Sequence, residues 1–318
     1  MDRIKYLEHY NYISIIISTI TSIAIAIKHS KLVNMSENKL KIIVDSTCDL
    51  PKYLVEKYDI DVVPVYIQYK DKILADGVDI TIEEYYKLLR EVKELPTTSA
   101  PNPRDFLERI NKALKDYTSV FIITLTSKLS TTYQSAKIAA KRIKNTHIHL
   151  LDSKFGSGVL SFTALAAAKL SQKGVPEEEI VKKVEQLRDE SLLLGYVETL
   201  ENFKKSGRIS NLKFWIGAVT KAKPLLELRD GIIQACGKAT GKIKAQKKVI
   251  AEVLRRVKKD QQYDIMITHG DDPEAAEYLM KQFEKKINLG EKIINYLTPA
   301  LATHLGIGTV VISLSPSI

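Results

Sequence analysis

From Lys41 onward, apolar and polar positions change period repeatedly along the chain. "KIIVD" is a short continuous apolar run that stops at Asp45, Ser46 and Thr47, and Pro51 then opens a helix, a position where its missing N–H does no harm. "IDVVPVYIQYKDKILADG" predicts short strands with a turn near Lys70–Asp71. "TIEEYYKLLREV" has the helical period, with Ile82, Tyr85, Tyr86 and Leu89 on one face and Thr81 as the cap. "PTTSAPNP" reads as a loop before a helix over Arg104–Lys115. The next strand, Val120–Ile123, passes directly into a helix, and "HIHLLDS" is another strand ending in Asp-Ser. Helices follow over Gly158–Gln172 and Pro176–Arg188, so strands and helices alternate as in a parallel α/β sheet.

After Leu192 the rhythm changes. "KPLLELRDGIIQACGKA" is a hairpin with its turn at Asp230–Gly231. Helix Ile243–Lys258, strand Asp264–Thr268, helix Pro273–Lys285, strand Lys292–Tyr296 and strand Thr309–Leu314 complete an α/β pattern with an antiparallel element. The expected division is an extension over 1–34, an N-terminal α/β domain over 35–190 and a C-terminal α/β domain over 191–318. "YISIIISTITSIAIAIK" is uncharged from Tyr12 to Ile27 but short for a spanning helix, which needs about 20 apolar residues. It reads either as part of a dispensable extension upstream of Met35 or as a weak membrane anchor.

Composition narrows the function. The 318 residues suffice for two domains, and 45% hydrophobic with 27% charged residues describes a globular chain. The net charge of +10 is spread without a basic block, so no nucleic-acid partner is expected. Cys48 and Cys236 form no CxxC or Cys/His cluster, which suits a reducing, cytoplasmic setting and no metal.

Candidate chemistry gathers where strands end. Between Thr124 and Thr132 six hydroxyls separate a buried strand from a helix, more than capping requires. With Asp45-Ser46-Thr47, Thr97-Thr98-Ser99 and Asp152-Ser153 they form either a set of helix caps or a polar pocket outside the carboxyl ends of the strands. His304 precedes the turn Gly306-Ile307-Gly308, where glycines would let backbone N–H groups approach an anion. His147 and His149 read as structural or exposed, and His269-Gly270 is open to either reading. Asp76, Asp79, Glu83 and Glu84 read as acidic enrichment at a helix N-terminus. The Lys/Arg face of Ile243–Lys258 reads as solvated. There is no GxSxG elbow, no GxxxxGK[ST] loop and no pair of histidines at metal-ligand spacing.

"VDSTCDLP", "TTSAPNP", "TSKLSTTYQSA", "LDS", "SGRIS", "KPLLELRDGII" and "THLGIGT", in this order, resemble the DegV family from Lys41 to Leu314. That family includes bacterial fatty-acid-binding proteins that serve fatty acid kinase. The resemblance implies a two-domain α/β fold: an N-terminal parallel-sheet domain and a C-terminal domain with antiparallel strands. It implies a lipid-binding carrier that is not an enzyme and has no cofactor. One long-chain fatty acid would be held with its chain buried and its carboxyl presented to a separate kinase, with transient contact at a membrane surface. The residues it points to are Thr98, Ser99, Ser130, His304, Gly306 and Gly308. Hydroxyls would satisfy a buried carboxylate without adding fixed charge. Three positions depart from the pattern: Thr131 replaces a glycine, Ile307 a proline, and "SGVLS" a GxG helix opening. The competing readings are a phosphotransferase or hydrolase using Ser130 and His304, or a lipid-sensing regulator.

Overall fold

The computed structural model describes residues 40–144, 147–208 and 222–318. The extension with its apolar run, and Ile209 and Ser210 of "SGRIS", lie outside the described residues. In chain order the elements are β1 (Leu40–Asp45), a 3-10 turn (Ser46–Cys48), α1 (Lys52–Lys57), β2 (Asp61–Val63), β3 (Tyr66–Tyr69), β4 (Lys72–Ala75), α2 (Ile82–Glu91), β5 (Thr97–Ser99), α3 (Pro103–Ala113), β6 (Ser119–Thr124), α4 (Thr132–Ala140), β7 (His147–Asp152), α5 (Ser157–Gln172) and α6 (Glu177–Glu190). They continue as β8 (Leu192–Tyr196), α7 (Glu201–Lys205), β9 (Ala222–Arg229), β10 (Ile232–Thr240), α8 (Lys242–Arg256), β11 (Tyr263–His269), α9 (Pro273–Glu284), β12 (Leu289–Tyr296), α10 (Pro299–Leu305) and β13 (Val310–Pro316).

The first sheet runs β2-β1-β6-β7 and is wholly parallel. β1 and β6 are buried along their whole length, which is why both read as unbroken apolar runs rather than alternating ones. The second sheet runs β10-β9-β8-β13-β11-β12. It is antiparallel except for β11 with β12. This is the expected fold class. The hairpin turn at Asp230–Gly231 has both residues at positive φ, 50° and 79°, as a two-residue hairpin turn requires.

α5 explains how the sheets share a core. Thirteen of its residues, including Leu160, Leu165 and Leu170, are buried. The helix packs on β1 of the first sheet and on β13 and β11 of the second. A helix apolar on all sides must be covered on all sides. "PTTSAPNP" is not wholly a loop: Thr97–Ser99 is β5, the edge strand of a small antiparallel sheet ordered β4-β3-β5. Local propensity did not reveal a three-residue strand, because its partner β3 lies thirty residues upstream. α2 and α3 carry full capping boxes, Thr81 with Glu84 and Asn102 with Asp105.

Candidate functional site

The loops after β1, β6 and β7 are tied together by aspartates at the strand ends. Asp45 accepts from the backbone N–H of Thr47 (3.1 Å) and of Leu125 (2.7 Å), stapling the β1 loop to the β6 loop. Asp152 accepts from Ser127 N (3.2 Å) and Lys154 N (2.9 Å). The hydroxyl-rich stretch then divides its labour. Thr126 donates to Gly231 O of the β9–β10 turn (3.1 Å). Ser130 Oγ accepts from Thr132 N (3.3 Å) and pairs with Thr132 Oγ1 (2.8 Å), so Ser130 does the capping that Thr131, the N-cap residue, does not. Thr131 sits at φ −83°, so the absence of glycine there imposes no left-handed strain. The strain appears instead at Ser157, the non-glycine at the α5 opening, with φ 49°. Ser153 is consumed by Phe155, donating to its carbonyl (2.9 Å) and accepting from its N–H (3.1 Å), and does not join the pocket.

Against these loops lies a cavity with about 1010 Å³ of atom-free space, part of it open to solvent. One side is supplied by Leu125, Leu129 and Ser130, and another by Leu193, Leu226, Leu228 and Ile233 of the second sheet with Val197 just after β8. Phe203 of α7 and Leu301 and Leu305 of α10 complete an apolar wall. Thr98, Ser99, Ser130 and His304, the four residues singled out on β5, the β6 loop and α10, all line this one space. β5 pairs Thr98 opposite Ile67, and Thr98 Oγ1 meets His304 Nε2 at 2.7 Å. Ser99 turns to the rim, where Gln68 Nε2 reaches its hydroxyl at 3.4 Å.

His304 has a second nitrogen, Nδ1, that is buried with no hydrogen-bond partner. Burial, and then the neighbouring Arg208 guanidinium, push the imidazole down to about 4, so the ring is neutral at pH 7. A neutral ring has one donor and one acceptor nitrogen, so Nδ1 is an unused polar contact at the polar end of an apolar space. Arg208 also lines the cavity; its Nη1 donates to Ser206 O (2.7 Å). Arg208 was not among the expected residues, although "SGRIS" carried it. It gives the polar end a fixed positive charge, where the sequence suggested only neutral hydroxyls.

Gly306 and Gly308 lie just beyond α10, at φ 82° and 78°, a region that favours glycine. Their N–H groups already donate, Gly306 to Ala302 O (2.8 Å) and Gly308 to Gly270 O (2.7 Å). Gly306 lies against Asn202 and Gly308 against Glu198, so here they set the turn behind His304 rather than face the cavity. His269 Nδ1 accepts from Asp272 N (3.2 Å), and His149 Nε2 pairs with Glu177 (3.1 Å), both structural uses. Asp76 does not decorate the N-terminus of α2. It is buried, and its Oδ2 accepts from Ser46 Oγ at 2.7 Å. Only Glu83 and Glu84 occupy the first turn of α2. Among the described residues no His/Cys/Asp/Glu group could hold a metal ion, and no helix is long and apolar enough to cross a membrane.

The chain is similar in sequence and fold to proteins already described. A fatty acid-binding protein of Thermotoga maritima is 30% identical over 277 residues, covering 86% of this chain and 96% of the relative. A structure describing fatty acid binding by a DegV family protein from Thermus thermophilus superposes with a TM-score of 0.83 at 28% identity, over 88% of this chain and 100% of that one. DegV of Bacillus subtilis, described as a fatty acid-binding protein, gives a TM-score of 0.81 at 25% identity with the same coverage. The family model described as "uncharacterised protein, DegV family" matches residues 39–317, and the chain therefore belongs to the DegV family.

Proposed function

We propose that this protein binds one long-chain fatty acid in the cavity, with the acyl chain against the apolar walls and the carboxyl at Thr98, Ser99, Ser130 and His304, and presents that carboxyl to a separate fatty acid kinase. The observation that carries the reading is the segregation of the cavity lining: aliphatic and aromatic side chains over most of it, with a hydrogen-bonded Thr98–His304 pair and Arg208 brought together by three separate elements. Burying 16 methylenes at about 0.8 kcal/mol each offers about 13 kcal/mol before the costs of ordering chain and protein. The carboxylate replaces the missing partner of His304 and finds a countercharge in Arg208.

The carrier reading fits better than a hydrolase or phosphotransferase. Ser130 is bonded to Thr132 and His304 to Thr98, and no hydrogen bond joins Ser130 to His304, so the nucleophile–base contact that chemistry needs is not made. The protein would work in the cytoplasm, meet membranes transiently, and divide near Ser191 into the two halves that enclose the lipid. Native mass spectrometry of protein purified from a bacterial host tests the binding, since a retained fatty acid adds its mass. Phosphate transfer measured with kinase alone, this protein alone and both together tests the presentation. Acyl-phosphate should form only with both, and less with Ser130→Ala. Turnover by this protein alone would replace the carrier reading with the enzyme one.

A further inference from the structure

Behind the cavity wall lies a group of carboxylates that the binding reading does not use. Asp45 and Asp49 are fully buried and Asp76 is 3% exposed. Asp49 Oδ1 accepts from Thr298 N (2.8 Å) and Oδ2 from Ser157 Oγ (2.7 Å). Asp76 Oδ2 accepts from Ser46 Oγ (2.7 Å) and, at 3.4 Å, from Ala300 N. Asp76 Oδ1 is buried with no partner at all. Two of these carboxyls thus hold the start of α10, whose own N-cap residue Thr298 makes no side-chain cap. The far end of that short helix carries His304.

The wall between these carboxyls and the cavity is one residue thick. Ser157, which bonds Asp49, lines the cavity, and so does Ala300, which bonds Asp76. Val65 lines it too, its N–H donating to Ser46 Oγ (3.0 Å), and Thr47 lines it while bonding Asp45. Among the described residues no lysine or arginine pairs with any of the three carboxyls. The titratable groups that face them are one another, Cys48 beside them, Tyr85 and Tyr86 of α2, and across the wall, in the cavity lining, His304, Arg208, Tyr196 and Glu227, the last paired with Arg256. His269 of β11 meets this region only through its carbonyl, which accepts from the Tyr86 hydroxyl.

We propose that the Asp49–Asp76 pair is a proton-linked partner of the ligand site: when a fatty-acid carboxylate enters the cavity, this pair takes up protons from solvent. A second negative charge arriving on the other side of a thin, low-dielectric wall disfavours the ionised pair, and protonation removes the repulsion. Asp76 Oδ1, which has no donor to stabilise a charge, is the natural place for the proton. Burial has already pushed Asp49 and Asp76 up to about 7, the charges of Asp49 and Asp45 adding to the effect at Asp76, so near neutral pH the pair can gain a proton. The proposal rests on the fatty-acid reading of the cavity.

The test is calorimetric titration of myristate into the full chain at pH 7, in phosphate and in Tris, whose ionisation heats differ. A carboxyl whose midpoint moves from 7 to 8 gains about 0.4 proton at pH 7, so wild-type protein should take up roughly 0.4 to 0.8 proton per myristate. Asp76→Asn should lower this uptake, and Asp49→Asn with Asp76→Asn should abolish it, while both variants still bind. Myristate carrying a 13C-labelled carboxyl provides a variant-independent check. Infrared difference spectra of wild-type protein should gain an unshifted protonated-carboxyl band, distinct from that of the ligand. Equal heats in the two buffers, or uptake undiminished in the double variant, would overturn the proposal while leaving fatty-acid binding intact. No binding heat from myristate or longer fatty acids would overturn the binding reading and the proposal with it.

Discussion

Replacing Thr98 by valine keeps the shape of the side chain and deletes the hydroxyl that meets His304 Nε2 at 2.7 Å. The other imidazole nitrogen is already buried without a partner, so in the ligand-free protein the substitution leaves a buried ring with neither nitrogen satisfied. Leaving a buried polar group unpaired costs about 1–3 kcal/mol, and urea denaturation should show a loss of that size with an unchanged m-value. Affinity should fall as well, because the Thr98 hydroxyl, by donating its one proton to Nε2, holds the tautomer whose Nδ1–H can donate to the carboxylate. A hydrogen bond to a charged acceptor is worth about 1.5–3 kcal/mol, which corresponds to roughly 10- to 150-fold weaker fatty-acid binding. Thr98→Ser restores the hydroxyl and should recover most of both losses. The assay is a paired one, urea melts of stripped protein and equilibrium titration with a fluorescent fatty acid. If stability falls but affinity stays within about twofold, Thr98 serves only His304 and the head group lies elsewhere. If neither changes, the account of an orphaned imidazole is wrong.

Stability should also depend on pH through the buried carboxyls. Asp49 and Asp76 stand at about 7 in the fold against an unfolded value of 3.8, so the folded chain binds more protons across that interval. Their contribution is full below 3.8 and is lost as pH rises toward 7; Asp49→Asn should flatten that part of a urea-midpoint-versus-pH curve, and an unchanged slope would contradict the assignment. Cys48 is buried with its thiol held well above the ordinary range, and Cys236 is half-buried and raised to about 11, both chiefly by desolvation. A thiol reagent at pH 8 should therefore modify Cys236 slowly and Cys48 only after unfolding, as peptide mapping would show. A protein beginning at Met35 should fold and bind fatty acid with wild-type affinity, because the family match starts at residue 39; loss of binding in the titration would give the extension a role.

The strands and helices were legible because their burial leaves a periodic mark. β1 and β6 are covered on both faces and so read as continuous apolar runs. α2 announces itself through Thr81, Glu84 and the spacing of Tyr85, Tyr86 and Leu89. The alternation of such elements sets an α/β class, and the ordered motifs mark the family. What the order of residues leaves open is which polar groups meet. Thr98 and His304 are 206 positions apart, and only β5 pairing with β3 and the placement of α10 bring them to 2.7 Å. The same holds for Asp76, which looks like one of several acids before a helix and is instead sealed behind the cavity with Ser46. Arg208 is an ordinary basic residue after α7 until the fold sets it beside His304. Periodicity records whether a residue is buried; it does not record what lies across from it, because that depends on how distant elements pack. Side-chain pairing, and with it the charge and protonation of the site, was therefore decided by the tertiary structure alone.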